Sequence, residues 1–183
     1  MRNIVICDSP RSGKSTFVRM LLNSFKGYSL LSEKAIWSAY VKTCMDNDIT
    51  NIDLSNMNLL IKNVYEYSIK YEQKLNFILD SSNLSIDDCK KYQDNGFLVL
   101  IFGYPDLSKT EALKNIYEHD DDSEWSFHES SGNLSLIIEN SIEESKINRK
   151  KCDELGIKFI NTSQKRDKVL NQLLEWCKIK IND

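Results

Sequence analysis

Asp8-Ser9-Pro10-Arg11-Ser12-Gly13-Lys14-Ser15, with Thr16 directly after it, is the stretch that decides the reading of this chain. Residues 3–7 before it are a short apolar run that reads as a buried strand. Residues 14–25 after it read as a helix, with Phe17, Val18, Leu21, Leu22 and Phe25 on one face. A strand that feeds a loop opening a helix turns backbone N–H groups toward an anion, here those of Ser12, Gly13, Lys14 and Ser15. Gly13 permits close approach of backbone to a phosphate. Lys14 supplies a point charge to β- and γ-phosphates, and the Ser15 hydroxyl is suited to a Mg²⁺ shell. Ser9, Pro10, Arg11 and Thr16 complete the phosphate-binding stretch. The pattern is Gly-x4-Gly-Lys-Ser/Thr with Asp8 at its first glycine. Asp enters the left-handed backbone region more readily than most residues, so Asp8 is expected in the conformation glycine would take.

Outward from this loop, strands and helices alternate. Residues 28–31 read as a second strand, 33–45 and 53–71 as helices, and 76–79 as a third strand. Leu54, Met57, Leu60, Ile61, Val64 and Ser68 share the helical spacing in 53–71. Residues 85–95 begin with a Ser-x-x-Asp cap and stop at Gly96. Residues 97–102 are six apolar residues in a row, as in a central parallel strand covered on both faces. Ser108-Lys-Thr-Glu111 is a capping box opening a short helix. Residues 118–133 are acidic at first and carry no clear period, so they read as a loop. Residues 134–155 read as a long helix, 157–160 as a fifth strand, and 167–181 as a closing helix. This order predicts an α/β fold, a parallel sheet with helices on both faces, whose sites form at the carboxyl ends of the strands.

Ser9-Pro-Arg-Ser-Gly-Lys-Ser-Thr16 resembles the phosphate loops of the small P-loop kinases: nucleoside and nucleotide kinases, shikimate and gluconate kinases, and the zeta-toxin group. Phe77-Ile-Leu-Asp-Ser-Ser-Asn83 is similar to a segment of zeta-toxin-like and polynucleotide-kinase-like proteins. The likeness in element order runs over nearly the whole chain. It implies a three-layer P-loop NTPase fold, a five-stranded parallel sheet of order 2-3-1-4-5, in one domain over residues 1–183. It also implies a lid at 106–133, after the fourth strand, closing on bound substrates.

Candidate site residues follow from placement and from this resemblance. Asp80 ends the third strand, where a carboxylate can support Mg²⁺ alongside Ser15 or can cap the next turn with Ser82 or Asn83. Glu33 follows the second strand. Small P-loop kinases often place a base for the acceptor hydroxyl there, and a carboxylate in the first turn of a helix capped by Ser32 also suits the helix dipole. The segment 106–133 contains no arginine, only Lys109 and Lys114 as strong cations. Arg149, with Lys146 one turn earlier, is the candidate for clamping the transferring phosphoryl, against a solvated helix charge. Thr162 and Ser163 follow the last strand, where related kinases hold the nucleobase and where an ordinary N-cap also fits. Trp37, Tyr40 and Trp125 can stack on an acceptor ring or pack in the core.

Composition narrows the partners. The 183 residues suit one domain, and the net charge of −3 lacks the basic excess of a nucleic-acid or anionic-membrane binder. No apolar run approaches a membrane span, and residues 3–7 are too short for a secretion signal. Five scattered cysteines read as free, buried thiols of a reducing, cytosolic compartment. With two histidines and no ligand spacing, zinc is not expected. The resulting expectation is an ATP- and Mg²⁺-dependent kinase of a small hydroxyl acceptor. Asp120, Asp121 and Asp122, beside His119, are expected to close over the cleft and favour an uncharged one. Three alternatives remain: a nucleotide-dependent switch or weak ATPase with a protein partner, a zeta-toxin-like kinase of a nucleotide sugar, and a nucleic-acid-end kinase.

Overall fold

Strands β1 (Ile4–Asp8), β2 (Tyr28–Ser32), β3 (Asn76–Ser81), β4 (Leu98–Gly103) and β5 (Lys158–Asn161) form one sheet of order β2-β3-β1-β4-β5, every neighbouring pair parallel. The computed structural model describes residues 1–49, 54–71, 75–119 and 125–181. Helices α1 (Lys14–Ser24), α2 (Glu33–Asp46), α3 (Leu54–Tyr71), α4 (Ile86–Asp94), α5 (Lys109–His119), α6 (Ser131–Leu155) and α7 (Arg166–Lys180) connect and flank the strands, with a 3-10 turn at Trp125–His128.

Strand side chains alternate between faces, and the alternation separates two cores. Ile4 and Ile6 of β1, Ile78 of β3 and Leu98, Leu100 and Phe102 of β4 pack with Phe17, Val18 and Leu21 of α1 and Leu170, Leu173 and Cys177 of α7. Val5, Cys7, Phe77, Leu79, Val99 and Ile101 face the other way, onto Met57, Ile61 and Tyr65 of α3, Cys89 of α4 and Cys152 of α6. The fully buried β4 is thus covered on both faces, as its unbroken apolar run predicts. All five cysteines are free and buried. Burial pushes the Cys152 and Cys177 thiols up to about 12, so they remain protonated.

The caps behave as the sequence predicts. Ser85 accepts from Asp88 N at 3.1 Å. Ser108 and Glu111 form the reciprocal box, Glu111 N donating to Ser108 Oγ and Ser108 N to Glu111 Oε2, each at 3.2 Å. Three expectations need correction. On α3, Leu60 is 37% exposed, while Tyr65 is fully buried and its hydroxyl donates to Asp80 O at 3.1 Å. Residues 118–133 are not one loop. Glu118 belongs to α5, the 3-10 turn follows, and α6 starts three residues earlier than expected because Ser130 accepts from Asn133 N at 3.3 Å. The acidic residues Asp120, Asp121 and Asp122 lie outside the described residues. Within 106–133, α5 is seated on α6 through Ala112 and Ile116 against Leu134, Ile138 and Ile142.

Among the described residues, no helix is long and apolar enough to cross a membrane. At the end of β4, Gly103 is required by proximity: a Cβ there would stand 2.8 Å from both Ser145 Oγ and the Phe159 ring. That close approach brings α6 to the rim of the sheet beside the phosphate loop.

Candidate active site

The phosphate loop leaves β1 at Asp8, which is still extended and paired with Phe102. Extended backbone is open to any residue, so glycine is not needed at that position, and Asp8 does not take the left-handed conformation expected of it. The left-handed residues are Arg11 (φ 68°) and Gly13 (φ 94°). Ser9 N donates to Phe102 O at 3.1 Å, and Ser12 N donates back to Ser9 O at 3.2 Å. The Ser12 N–H, expected among the phosphate donors, here closes the turn onto Ser9. Gly13 is the N-cap of α1. The N–H groups of the first helical residues, from Lys14 on, have no carbonyl four residues back within the helix.

The loop is anchored from behind. Tyr104 donates through its hydroxyl to Pro10 O at 2.7 Å. The buried Ser9 hydroxyl lies 3.0 Å from the Ser145 hydroxyl of α6, which also accepts from Tyr104 N at 3.2 Å. Ser9 and Pro10 thus hold the loop in place, while Ser15 and Thr16 are exposed on the first turn of α1.

Lys14 is buried, and its ammonium is aimed at the end of β3. It lies 2.8 Å from Asp80 Oδ1, and it donates to Ser81 O at 2.8 Å and to Ser82 Oγ at 2.9 Å. Asp80 Oδ1 makes no well-aligned hydrogen bond, so the Lys14 ion pair is its compensation. At this turn Ser82 Oγ accepts from Lys14, and Ser82 N, Asn83 N and Asn83 Nδ2 donate to Glu33.

Glu33 reaches the same turn from the other side. It is the first residue of α2, behind the N-cap Ser32, whose hydroxyl accepts from Ala35 N. The side chain is buried. Glu33 Oε2 accepts from the Ser81 hydroxyl, from Ser82 N at 2.9 Å and from Asn83 N at 3.3 Å; Oε1 accepts from Asn83 Nδ2. Glu33 thus stands in the first turn of α2 and at the same time binds the turn that ends β3.

A cavity of about 90 Å³ opens beside Glu33, lined also by Asn58, Ile61, Lys62, Ser81, Asn83 and Leu84. Lys62 turns to Asp88 at 2.9 Å and holds that carboxyl well below the usual carboxylate range. Trp37 and Tyr40 pack against the core on the α3 side of the sheet.

A larger cavity, about 320 Å³, lies on the opposite flank of the phosphate loop. Arg11 lines it from the loop, Ala112 and Ile116 from α5, and Thr162, Ser163 and Arg166 from the segment joining β5 to α7. Thr162 and Ser163 do not cap α7, whose N-cap is the left-handed Lys165. They are buried in the cavity wall instead. Arg11, expected in the phosphate-binding stretch, faces this cavity, and Arg166, not singled out from the sequence, joins it; a Cβ at Gly13 would stand 3.1 Å from Arg166 Cδ, so that side chain lies against the loop. Arg149 donates to both carboxylate oxygens of Asp106, each at 3.3 Å.

No family model and no curated protein matches the sequence. Solved structures do match. A gluconokinase from Sinorhizobium meliloti 1021 is 13% identical over 99% of this chain and 94% of its own, with a TM-score of 0.54. A deoxyadenosine kinase from M. mycoides is 12% identical over 97% and 99%, TM-score 0.56. A shikimate kinase from Bacteroides thetaiotaomicron is 11% identical over 97% and 98%, TM-score 0.55. The fold is that of the small P-loop kinases. At such identities the likeness extends to the fold and its strand order, and the chemistry has to be argued from this chain's own side chains.

Proposed function

We infer that this chain transfers the γ-phosphoryl group of ATP to a hydroxyl of a small, uncharged acceptor. One observation carries the reading: Lys14 and Glu33 bond opposite sides of the same 81–83 turn. Phosphoryl transfer is mostly positioning and charge neutralisation, and it needs donor phosphate and acceptor hydroxyl held on a common line.

In this reading the phosphates lie along residues 9–16, above the N-terminus of α1. Lys14, already drawn to the end of β3, neutralises the β- and γ-oxygens. The Ser15 hydroxyl and the Asp80 carboxylate are hard oxygen donors of the kind Mg²⁺ takes, and Asp80 Oδ1 is a buried atom without a well-aligned hydrogen bond. Bound there, Mg²⁺ supplies positive charge to the transferring group. Thr162 and Ser163 contact the nucleobase in the larger cavity. The α5 helix and the start of α6, within 106–133, form the lid.

Glu33 is the base. A carboxylate has about four lone-pair sites. Oε2 accepts three bonds and Oε1 one, which leaves Oε1 a site for the acceptor's hydroxyl proton. The small cavity favours a neutral acceptor: its carboxylate is Glu33, and its cation, Lys62, is committed to Asp88.

The test is a panel of sugars, nucleosides, hydroxy acids and nucleoside monophosphates with ATP–Mg²⁺, read by ATP consumption and product mass. An uncharged hydroxyl compound should gain phosphate, and Asp80→Asn should fold yet lose Mg²⁺-dependent turnover. Efficient phosphorylation of a monophosphate overturns the neutral acceptor. Hydrolysis indifferent to every acceptor overturns transfer and leaves the nucleotide switch.

A further inference from the structure

The two loops that wall the larger cavity are tied together by one carboxylate that does not itself line it. Asp106, just past β4, accepts from Arg149 Nη1 on α6 through both oxygens and from Asn161 Nδ2 at 2.6 Å. Its backbone N–H donates to Ser163 Oγ at 3.0 Å, and Ser163 N donates to Asn161 Oδ1 at 3.0 Å. Thr162 closes the seam, its N–H and its hydroxyl both donating to Gly103 O, at 2.9 and 3.2 Å. The ring of bonds therefore runs from the β4–α5 loop to the β5–α7 segment and returns through α6.

We propose that Arg149 is a positioning residue for the nucleoside half of the donor nucleotide, acting through Asp106 and Asn161 on the wall made by Thr162 and Ser163. This rests on the reading in which the phosphates occupy residues 9–16. A nucleotide held there extends its ribose and base beside the loop, and the cavity running from Arg11 to Thr162 and Ser163 is the space available. One guanidinium nitrogen, Nη1, is shared between both carboxylate oxygens, each at 3.3 Å, a charge-assisted contact that holds Asp106 toward α6. Asp106 then holds the backbone before α5, and Asn161 holds the turn that presents Ser163. Arg149 thus bears on the fit of the base, not on the transferring phosphoryl. The pair is about half exposed, 48% and 53% for the two side chains. Exposed pairs contribute up to about 1 kcal/mol, which corresponds to about a fivefold change in affinity.

The experiment compares the affinities of ATP–Mg²⁺ and of inorganic tripolyphosphate–Mg²⁺ for the unaltered protein, Arg149→Ala, Arg149→Lys, Asp106→Asn and the Arg149→Ala/Asp106→Asn double variant. ATP should bind roughly three- to fivefold more weakly to either single variant, and no more weakly to the double, since the two act as one unit. Tripolyphosphate, which lacks the nucleoside, should bind all of them within about twofold, inside the few tenths of a kcal/mol usual for a remote substitution. Arg149→Lys should fall between, because the ammonium keeps the charge on a differently shaped side chain. Equal weakening of both ligands would put Arg149 on the phosphates, and unchanged ATP affinity would remove the positioning role. An unaltered protein that binds neither ligand brings down the phosphate-loop reading itself, an outcome distinct from one in which it binds both and the variants are indifferent. If Arg149→Ala fails to fold, Arg149→Lys and Asp106→Asn carry the same comparison.

Discussion

Removing the Glu33 carboxylate separates its hold on the 81–83 turn from its proposed role as base. In the native chain it takes three donors at the end of β3, the Ser81 hydroxyl and the N–H groups of Ser82 and Asn83, and the Asn83 side-chain amide as well. The side chain is 7% exposed, so water replaces it only in part. Glu33→Ala leaves those donors facing a cavity. A stranded buried donor costs about 1–3 kcal/mol, and partial hydration through the neighbouring cavity lowers the sum, so the expected loss is about 3 kcal/mol. At about 2–4 °C per kcal/mol for a chain of this size, Tm falls by roughly 6–12 °C. Glu33→Gln keeps one accepting oxygen for the Ser81 hydroxyl and the Ser82 and Asn83 N–H groups, while Asn83 turns its amide to meet the new NH₂, so the loss is about 1 kcal/mol. Urea unfolding gives both values. Turnover per folded molecule with the acceptor found in the panel then reports the chemistry, and a lost general base costs about 10²–10⁴ in rate even in Glu33→Gln. A Glu33→Ala variant within 0.5 kcal/mol of the native protein would refute the claim that this carboxylate holds the turn. Full turnover in Glu33→Gln would leave it a structural cap.

Three further outcomes are expected. ATP–Mg²⁺ at a hundredfold excess over Kd should stabilise the protein by about 2.7 kcal/mol, and Lys14→Ala should abolish most of that while lowering unliganded stability by about 3 kcal/mol, since Asp80 loses its ion pair; scanning calorimetry with and without ligand checks both, and an undiminished ligand shift in the variant removes the phosphate-loop assignment. The Asp88 carboxyl is held low chiefly by its bond to Lys62, so its contribution is present above the unfolded value near pH 4 and is lost as pH falls through the folded value. Asp88→Asn should therefore cost about 1 kcal/mol between pH 5 and 7, and the gap should narrow steadily as pH falls below about 4; a gap that does not narrow assigns the effect to packing. Gly103→Ala should cost about 1–3 kcal/mol by urea unfolding, since its Cβ would meet Ser145 Oγ and the Phe159 ring at 2.8 Å, and a neutral result would mean that α6 yields freely.

The order of elements was legible because each carries its own local signal: the period-2 and all-apolar strands, the glycines at Gly96 and Gly156, and the Ser85 and Ser108 caps. What was not legible depends on partners far apart in the chain. Tyr65 sits four residues after Ile61, on the right face, but a phenol is not counted as apolar until its hydroxyl is seen bonded to Asp80 O. The first turn of α6, Ser131-Gly-Asn133, has no apolar residue to start a period, so the helix appeared to begin at Leu134. The partner of Arg149 is 43 residues away, and no spacing rule reaches that far.

Asp8 shows the same division between local and distant causes. A pattern of glycines places the conformational demand at the first position, yet here β1 continues through that residue and the left-handed turn is taken at Arg11 instead. The loop tolerates this because it is restrained from outside: Tyr104 holds Pro10 O, and Ser145 stands against Ser9. Both restraints come from the end of β4 and from the helix that Gly103 allows to approach. The phosphate loop of this chain thus owes its shape to packing by α6 as much as to its own residues. A helix that also carries one wall of the proposed lid and the Arg149–Asp106 strut is therefore in direct contact with both ends of the proposed donor site, and a shift of α6 along the sheet would alter phosphate and base contacts together.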